Sequence, residues 1–216
     1  MLTDPVTSSA PTSAVGVARQ AIFDRDGRIF GYEMLFRMPP ASQAPVMTTE
    51  AQHERATAEV VRAMVLRQAT AGGDRDALLF VNFPRAFLVG DLPLLLPPDR
   101  LVVEVLEHVV PDDELIGGVR KLRRRGYRLA VDDWGGEDGR DQLIAECQFV
   151  KIDLGLVEPG ALGDLVAGVN RRWPQVSVVV ERLETAADVA LARDCGADLF
   201  QGFHLDAPEY QPTPLP

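Results

Sequence analysis

Seven polar residues of this sequence occur in the same context. Each lies at or just beyond the end of a short apolar run. They are Asn82, Glu104, Asp132, Asp133, Lys151, Glu181 and Gln201. An eighth, Glu33, lies inside the second apolar run of the chain. Carboxylate and amide oxygens are the ligands that hard cations such as Mg²⁺ and Mn²⁺ prefer. The pattern therefore predicts a divalent-metal site, provided that the fold brings these runs together.

Two features within this set indicate phosphoester chemistry. The adjacent carboxylates of Asp132 and Asp133 can serve two metal ions about 3.5–4 Å apart, which is the arrangement used to hydrolyse phosphodiesters. Lys151 could orient or polarise the attacking water. A Schiff-base aldolase that uses Lys151 is a remote alternative, because neighbouring carboxylates raise a lysine pKa whereas a Schiff-base amine needs a lowered one.

The apolar runs themselves predict the elements that position these residues. Two runs, 15–23 and 28–36, are joined by Asp24–Gly27, and an Asp-Gly step between apolar runs is typical of an antiparallel hairpin. A helix is expected over 48–70. Six more strand-like runs follow at 77–83, 101–105, 127–131, 149–152, 176–180 and 199–200. Helical stretches are expected at 111–125, 140–146, 160–172 and 185–195.

The alternation of strands and helices favours a parallel sheet covered by helices. Eight strands allow a closed α/β barrel, and a doubly wound open sheet is the alternative. Parallel barrels build their sites at the carboxyl ends of the strands, where the polar residues would converge. A single acid at a strand end is more often a helix cap or a loop charge. Its recurrence on successive strands favours a shared site.

Composition limits the classes of protein and partner. A chain of 216 residues with 46% hydrophobic content can bury one core, so we expect a single domain over 15–210. The segment 1–14 is expected to be a disordered leader and 211–216 a tail. A net charge of −10 excludes broad DNA or RNA binding. No apolar run reaches the ~18 residues of a membrane span, and we expect a cytoplasmic protein.

Ordered motifs along the whole folded chain resemble those of EAL domains, the bacterial cyclic-di-GMP phosphodiesterases. The run Glu33-Met34-Leu35-Phe36-Arg37 is similar to the Glu-x-Leu-x-Arg signature. The others are Val81-Asn82, Glu104-Val105-Leu106-Glu107, Val131-Asp132-Asp133, Val150-Lys151-Ile152-Asp153, Glu181-Arg182-Leu183-Glu184-Thr185 and Gln201-Gly202-Phe203. The segments 18–25 and 92–101 resemble the branch in which an HDOD domain follows, but no HDOD domain occurs in this chain.

The resemblance implies a TIM-like (β/α)8 barrel with an antiparallel first strand, and hydrolysis of cyclic-di-GMP to linear pGpG with Mg²⁺ or Mn²⁺. It also implies roles for individual residues. Metal would be held by Glu33, Asn82, Glu104, Asp132 and Asp133. Lys151 would hold the catalytic water, Glu181 would complete the metal and water shell, Gln201 would support it, and Arg37 would contact the dinucleotide.

The segment after Asp133 departs from the family pattern. It reads Trp134-Gly135-Gly136-Glu137-Asp138-Gly139-Arg140-Asp141, where active members continue Phe-Gly-Thr-Gly-Tyr-Ser-Ser. The altered segment leaves a second reading, in which a weak or inactive EAL domain acts as a cyclic-di-GMP receptor or a protein-interaction module. The resemblance implies a homodimer or another protein partner, and the altered segment leaves a monomer as the alternative, because family members often dimerise near it. Gly-Asp-rich segments usually form surface loops.

Overall fold

A tight hairpin opens the fold. This computed structural model describes residues 16–37, 47–68, 77–136 and 139–212, so the predicted leader lies outside the described residues. Strand β1 (Gly16–Phe23) pairs antiparallel with β2 (Ile29–Arg37). Asp24 closes the turn, because its Oδ1 accepts the backbone N–H groups of Asp26 at 2.9 Å and Arg28 at 2.8 Å. Gly27 supplies the positive φ of 78°.

Six parallel strands follow, and they lie side by side in chain order beside β2. They are β3 (Leu78–Phe83), β4 (Leu101–Val105), β5 (Arg128–Val131), β6 (Phe149–Asp153), β7 (Ser177–Glu181) and β8 (Leu199–Phe200). All six were predicted. The described helices are α1 (Glu50–Gln68), α2 (Arg85–Val89), α3 (Asp113–Arg124), α4 (Asp141–Ile144), α5 (Leu162–Arg172) and α6 (Ala186–Asp194). A 3-10 turn spans Leu154–Leu156.

The first strand closes the sheet into a barrel. β1 pairs antiparallel with β2 on one side, and on the other side Phe23 pairs with Phe200 of β8. The predicted TIM-like barrel with an antiparallel first strand is therefore confirmed, and the open sheet is wrong. Because β8 has only two residues, the start of β1 would have a free edge, which a ninth strand covers.

The short helix α2 and the ninth strand β9 (Glu209–Pro212) were not predicted. β9 pairs antiparallel with Gly16–Arg19. Its last two residues fall in the segment expected to be a tail. Periodicity gave no signal for either element, because α2 has five residues and β9 four. None of the helices in the described part of the chain combines the length and apolar character needed to cross a membrane.

Apolar side chains fill the barrel in one buried layer, formed by alternate strand residues that point inward. The layer consists of Ile22, Phe80, Val102, Ala130, Phe149, Val179 and Leu199. The intervening strand residues, such as Val103 and Val150, point outward into the larger core beneath the helices. Side chains two residues apart on a strand share one face. The next inward-pointing positions therefore lie above the apolar layer, toward the carboxyl ends of the parallel strands.

Candidate active site

The candidate site is the second inward-facing layer of the barrel, two residues beyond the apolar layer on each parallel strand. The paired positions are Phe80 and Asn82, Val102 and Glu104, Ala130 and Asp132, Phe149 and Lys151, Val179 and Glu181, and Leu199 and Gln201. Asn82 lies directly beside Glu104. Between other strands the pairing is offset by two residues, so that Glu104 lies beside Ala130 and Lys151 beside Val179. Glu33 joins this layer from the hairpin strand β2. The barrel thus brings residues more than 160 positions apart in the sequence into one layer.

Lys151 lies at the centre of what we call the acidic cluster, formed by Lys151, Glu33, Glu104, Asp132 and Glu181. Its Nζ atom lies 2.8 Å from Glu181 Oε1, 2.9 Å from Glu104 Oε1 and 3.0 Å from Asp132 Oδ1. Glu33 Oε2 is farther away, at 3.5 Å. The Lys151 side chain is 1% exposed, so these ion pairs are screened little by water.

The cluster carries more negative charge than one ammonium can balance. Burial raises the pKa values of Glu104 and Glu181 well above their ordinary values. Neighbouring carboxylates raise these pKa values further, and the positive charge of Lys151 lowers them in part. Burial would lower the pKa of Lys151, but the four carboxylates outweigh it and hold that pKa well above its ordinary value. Lys151 is therefore an ammonium and not a nucleophilic amine, which argues against the Schiff-base alternative.

The donor set fits a hard divalent cation. Among the described residues, three buried oxygens have neither a hydrogen-bond partner nor an ion-pair contact with Lys151: Asn82 Oδ1, Glu104 Oε2 and Gln201 Oε1. A buried oxygen without a partner is costly, and a cation would satisfy it. A cation would also balance the surplus negative charge of the acidic cluster. Oxygen-only donors and a buried acidic cluster suit Mg²⁺, Mn²⁺ or Ca²⁺ rather than a metal that prefers nitrogen or sulfur ligands.

An amide network holds Glu33 in this layer. Gln201 Nε2 donates to Glu33 Oε2 at 2.6 Å and to Gln20 Oε1 at 3.1 Å. Gln20 in turn donates to the backbone carbonyl of Asp206 at 2.9 Å. All three side chains of the network, Gln20, Glu33 and Gln201, are buried. The network fixes the Glu33 carboxylate between strands β1, β2 and β8.

A cavity of about 540 Å³ opens above the cluster. Its walls include Glu33, Arg37, Asp132, Asp133 and Glu181. Arg37 and Asn82 also border an adjoining apolar cavity of about 180 Å³. The larger volume lies within the range of small-molecule sites. Another cavity, of about 460 Å³, lies away from the cluster beside Arg85, whose guanidinium is already paired with Asp112 and Glu114.

Asp133 lies at the rim of the barrel and not in the inner layer. Its φ is +45°, a left-handed conformation that residues other than glycine seldom adopt. Burial, and then the charges of Asp132 and Asp153, raise the pKa of Asp133 to about 6. Carboxylate oxygens of Glu107, Asp132 and Asp133 lie within 4.8 Å of one another. These three residues could hold a second cation beside the cluster.

A family comparison agrees with this geometry. The sequence model of the EAL domain matches residues 14–208. The chain belongs to the EAL domain family. The cyclic di-GMP phosphodiesterase CdgJ of Vibrio cholerae is 33% identical over 193 residues, which cover 89% of this chain and 44% of that protein. This EAL domain therefore spans about half the length of that relative.

Solved structures have the same fold. Bacillus subtilis YkuI, in complex with cyclic-di-GMP and calcium, superposes with a TM-score of 0.74 at 24% identity and covers 94% of this chain and 56% of its own. Klebsiella pneumoniae BlrP1, in a calcium and cyclic-di-GMP complex at pH 8.0, gives a TM-score of 0.73 at 25% identity. That match covers 97% of this EAL domain and 59% of BlrP1.

The composition of the segment after Asp133 predicts a surface loop. In this EAL domain, two side chains of the segment are instead buried. Arg140 is 5% exposed, and its guanidinium donates to the backbone carbonyls of Asp132 at 2.7 Å and Asp133 at 2.8 Å. Trp134 is buried as well and packs edge-on against Trp173. Residues 137 and 138 lie outside the described part. Beside them, Gly136 and Arg140 are buried, whereas Gly135 and Gly139 are exposed.

Three residues near the site were not among the predicted site residues. Gln20 lies opposite Glu33 in the hairpin register, which the predicted pairing could have indicated. Asp153 lies opposite Glu181 and binds Arg182 at 3.0 Å. Glu107 approaches Asp133, although its position in the sequence alone indicates no metal role. Only the register between strands and the path of the loops place these three residues at the site.

Proposed function

We propose that this EAL domain hydrolyses cyclic-di-GMP to linear pGpG with a water molecule activated by Mg²⁺ or Mn²⁺. The observation that carries the proposal is the buried acidic cluster around Lys151 at the floor of the 540 Å³ cavity. The relation to a protein named cyclic di-GMP phosphodiesterase supports it. The whole protein's activity is part of this proposal, because the chain spans about half of that relative.

In this proposal the inner layer holds the first cation and the rim holds the second. Glu33, Asn82, Glu104 and Asp132 are the residues that bind the first, and Asp133 contributes to the second. The bound cations supply a nucleophilic water at neutral pH and neutralise charge that develops on the phosphoryl group. The partnerless oxygens of Asn82 and Glu104 support this assignment, because a cation would satisfy both.

The protein's own groups position the water and the substrate. Lys151 donates from its ammonium to the oxygen of the attacking water, and Glu181, 2.8 Å from Nζ, accepts a hydrogen bond from the same water. Gln201 keeps Glu33 in place through its 2.6 Å hydrogen bond. Arg37 borders both cavities at the mouth, where its positive charge attracts the phosphate of the dinucleotide. The buried floor holds reacting groups in one orientation.

Incubation of the purified protein with cyclic-di-GMP tests the proposal. We expect pGpG, separated by chromatography, in the presence of Mg²⁺ or Mn²⁺ and none after chelation. Lys151→Met is the negative control. A folded wild-type protein that binds cyclic-di-GMP but yields no pGpG with either metal would refute hydrolysis.

A receptor is the second candidate, and the rim segment favours it. Asp133 has a left-handed backbone, and the residues that follow it do not match the pattern of active members. A receptor binds cyclic-di-GMP at micromolar or better affinity without turnover, whereas a protein-interaction module binds none. Calorimetry with Ca²⁺ distinguishes these two, and the turnover assay distinguishes both from the enzyme. A cytoplasmic location and a homodimer stay predictions.

A further inference from the structure

We propose that Arg140 is a positioning residue, which fixes the backbone of Asp132 and Asp133 so that both carboxylates face the cation sites. This inference rests on the proposed metal-dependent function and deepens it. It assigns the restraint of this backbone to a side chain that follows Asp133 by seven positions.

The guanidinium of Arg140 binds two consecutive carbonyl groups with two different nitrogens. Nη1 donates to Asp132 O at 2.7 Å and Nη2 donates to Asp133 O at 2.8 Å. Because the guanidinium is planar and rigid, two such bonds fix the orientation of two successive peptide planes. Both bonds are nearly shielded from water, since Arg140 is 5% exposed. A lysine could reach only one carbonyl from a single point.

The backbone at this position needs such a restraint. Asp133 has a φ of +45°, and a strained conformation persists only where its surroundings hold it. On either side, Asp132 N donates to Val105 O at 3.0 Å and Trp134 N donates to Lys151 O at 2.9 Å. The N–H groups are thus tied to neighbouring strands, and Arg140 ties the carbonyls. Together these bonds fix the left-handed residue between two anchored neighbours.

Helix capping does not explain the conformation of Arg140. It occupies the N-cap position of α4, but its side chain makes no capping hydrogen bond. The guanidinium turns back toward the barrel instead. Gly136 and Gly139, with φ values of 122° and 81°, allow the chain to reverse between Asp133 and Arg140. These glycines therefore allow Arg140 to reach the backbone of the two aspartates.

The test compares Arg140→Gln and Arg140→Lys with Arg28→Gln. Arg28 pairs with Asp26 at the exposed hairpin turn, and its substitution leaves the aspartate carbonyls bound, so it is the matched control. The first readout is amide hydrogen exchange of residues 133–136 without metal. The second is Mn²⁺ binding by calorimetry, and the third is kcat and KM for cyclic-di-GMP.

We expect Arg140→Gln to speed exchange of these amides and to weaken Mn²⁺ binding by ~10–100-fold, as loss of an orienting partner does at metal sites. kcat falls more than KM rises, and millimolar guanidinium partly restores it. Arg140→Lys gives intermediate values because it keeps one bond. Arg28→Gln matches the wild type in all three readouts. If Arg140→Gln does not fold, Arg140→Lys carries the test.

Two results would overturn the inference. One is unchanged exchange in Arg140→Gln. The other is faster exchange with unchanged Mn²⁺ affinity and kcat, which would make Arg140 a structural residue only. If the wild type binds no Mn²⁺ and produces no pGpG, the proposed function fails by itself. The exchange comparison needs no metal, so it still decides whether Arg140 fixes this backbone.

Discussion

The acidic cluster and Asp133 at the rim both present carboxylates to the large cavity, but the protein holds them by different means. Glu104, Lys151 and Glu181 lie on parallel strands whose backbones are bonded to both neighbours. Asp133 lies beyond the end of β5 and has a left-handed backbone. The strand ladder fixes the first group, whereas two hydrogen bonds from Arg140 fix the second.

The difference indicates which part of the site can vary. Strand positions are determined by many backbone bonds, so a substitution there changes the chemistry and leaves the geometry in place. At the rim only two backbone hydrogen bonds and the two from Arg140 hold the geometry, so different loop sequences can support the same chemistry. Conserving the inner layer while changing the rim is therefore physically consistent. Five predictions test this contrast, from the largest expected effect to the smallest.

Replacement of the central ammonium should have the largest effect. We expect Lys151→Met to lower the turnover of cyclic-di-GMP by ~10²–10⁴-fold, because the attacking water loses its donor. Binding of cyclic-di-GMP in Ca²⁺ should change much less. Steady-state kinetics and calorimetry measure the two quantities. Lys121→Met, at the exposed other lysine of the chain, is the control, and equal losses of binding and turnover would contradict the role of Lys151.

The two adjacent aspartates should respond differently. We expect Asp132→Asn to lower turnover by at least ~10²-fold, because a charged group directed at the reacting centre is lost. Asp133→Asn should lower it less, in the range of ~10–100-fold. Both variants keep the side-chain shape, so both should fold. If Asp133→Asn is the more harmful change, the rim and not the inner layer controls the reaction.

Substitution of a glycine in the wall of the cavity by alanine should lower the stability of the fold. A Cβ atom at Gly202 would lie 2.2 Å from the carbonyl oxygen of Leu183, which is backbone and cannot move away alone. We expect Gly202→Ala to destabilise the fold by ~1–3 kcal/mol and to displace the neighbouring Gln201. Denaturant unfolding measures this. Gly117→Ala, where α3 leaves open space, is the control and should be neutral or stabilising.

The pH dependence of stability should reveal the rim carboxylate. The pKa of Asp133 is about 6 in the fold and lower in the unfolded chain. The folded state thus binds more protons, and this contribution to stability is present below about pH 4 and is lost as pH rises through about 6. Without metal, thermal unfolding should show that the wild type loses more stability than Asp133→Asn between pH 4 and pH 7. A parallel decline of both proteins would contradict the assignment.

Metal should reverse this trend, since cations bind the deprotonated carboxylates. The rise in melting temperature caused by Mn²⁺ should therefore be greater at pH 7.5 than at pH 5. Glu104 and Glu181, whose pKa values burial also raises, should contribute to the same difference. A rise that does not depend on pH would show that the cation binds elsewhere.

Local sequence patterns were sufficient to predict the residues of the inner layer. Strand periodicity alone places Glu104 two residues beyond Val102 and Lys151 two residues beyond Phe149, on the same face. The Asp-Gly turn defined the antiparallel hairpin, and the six later strands occur where they were predicted. Regular elements carry this information because their side-chain direction follows from residue number.

Only the tertiary structure shows which residues hold the rim in place. Arg140 reaches Asp132 and Asp133 across a glycine-rich segment, and no period relates its number to theirs. The same holds for β9, which forms because β8 is too short to cover the start of β1. The sequence by itself determined which residues face the barrel interior. Three-dimensional packing alone determined what holds the rim, since irregular chain has no repeat that sets the direction of a side chain.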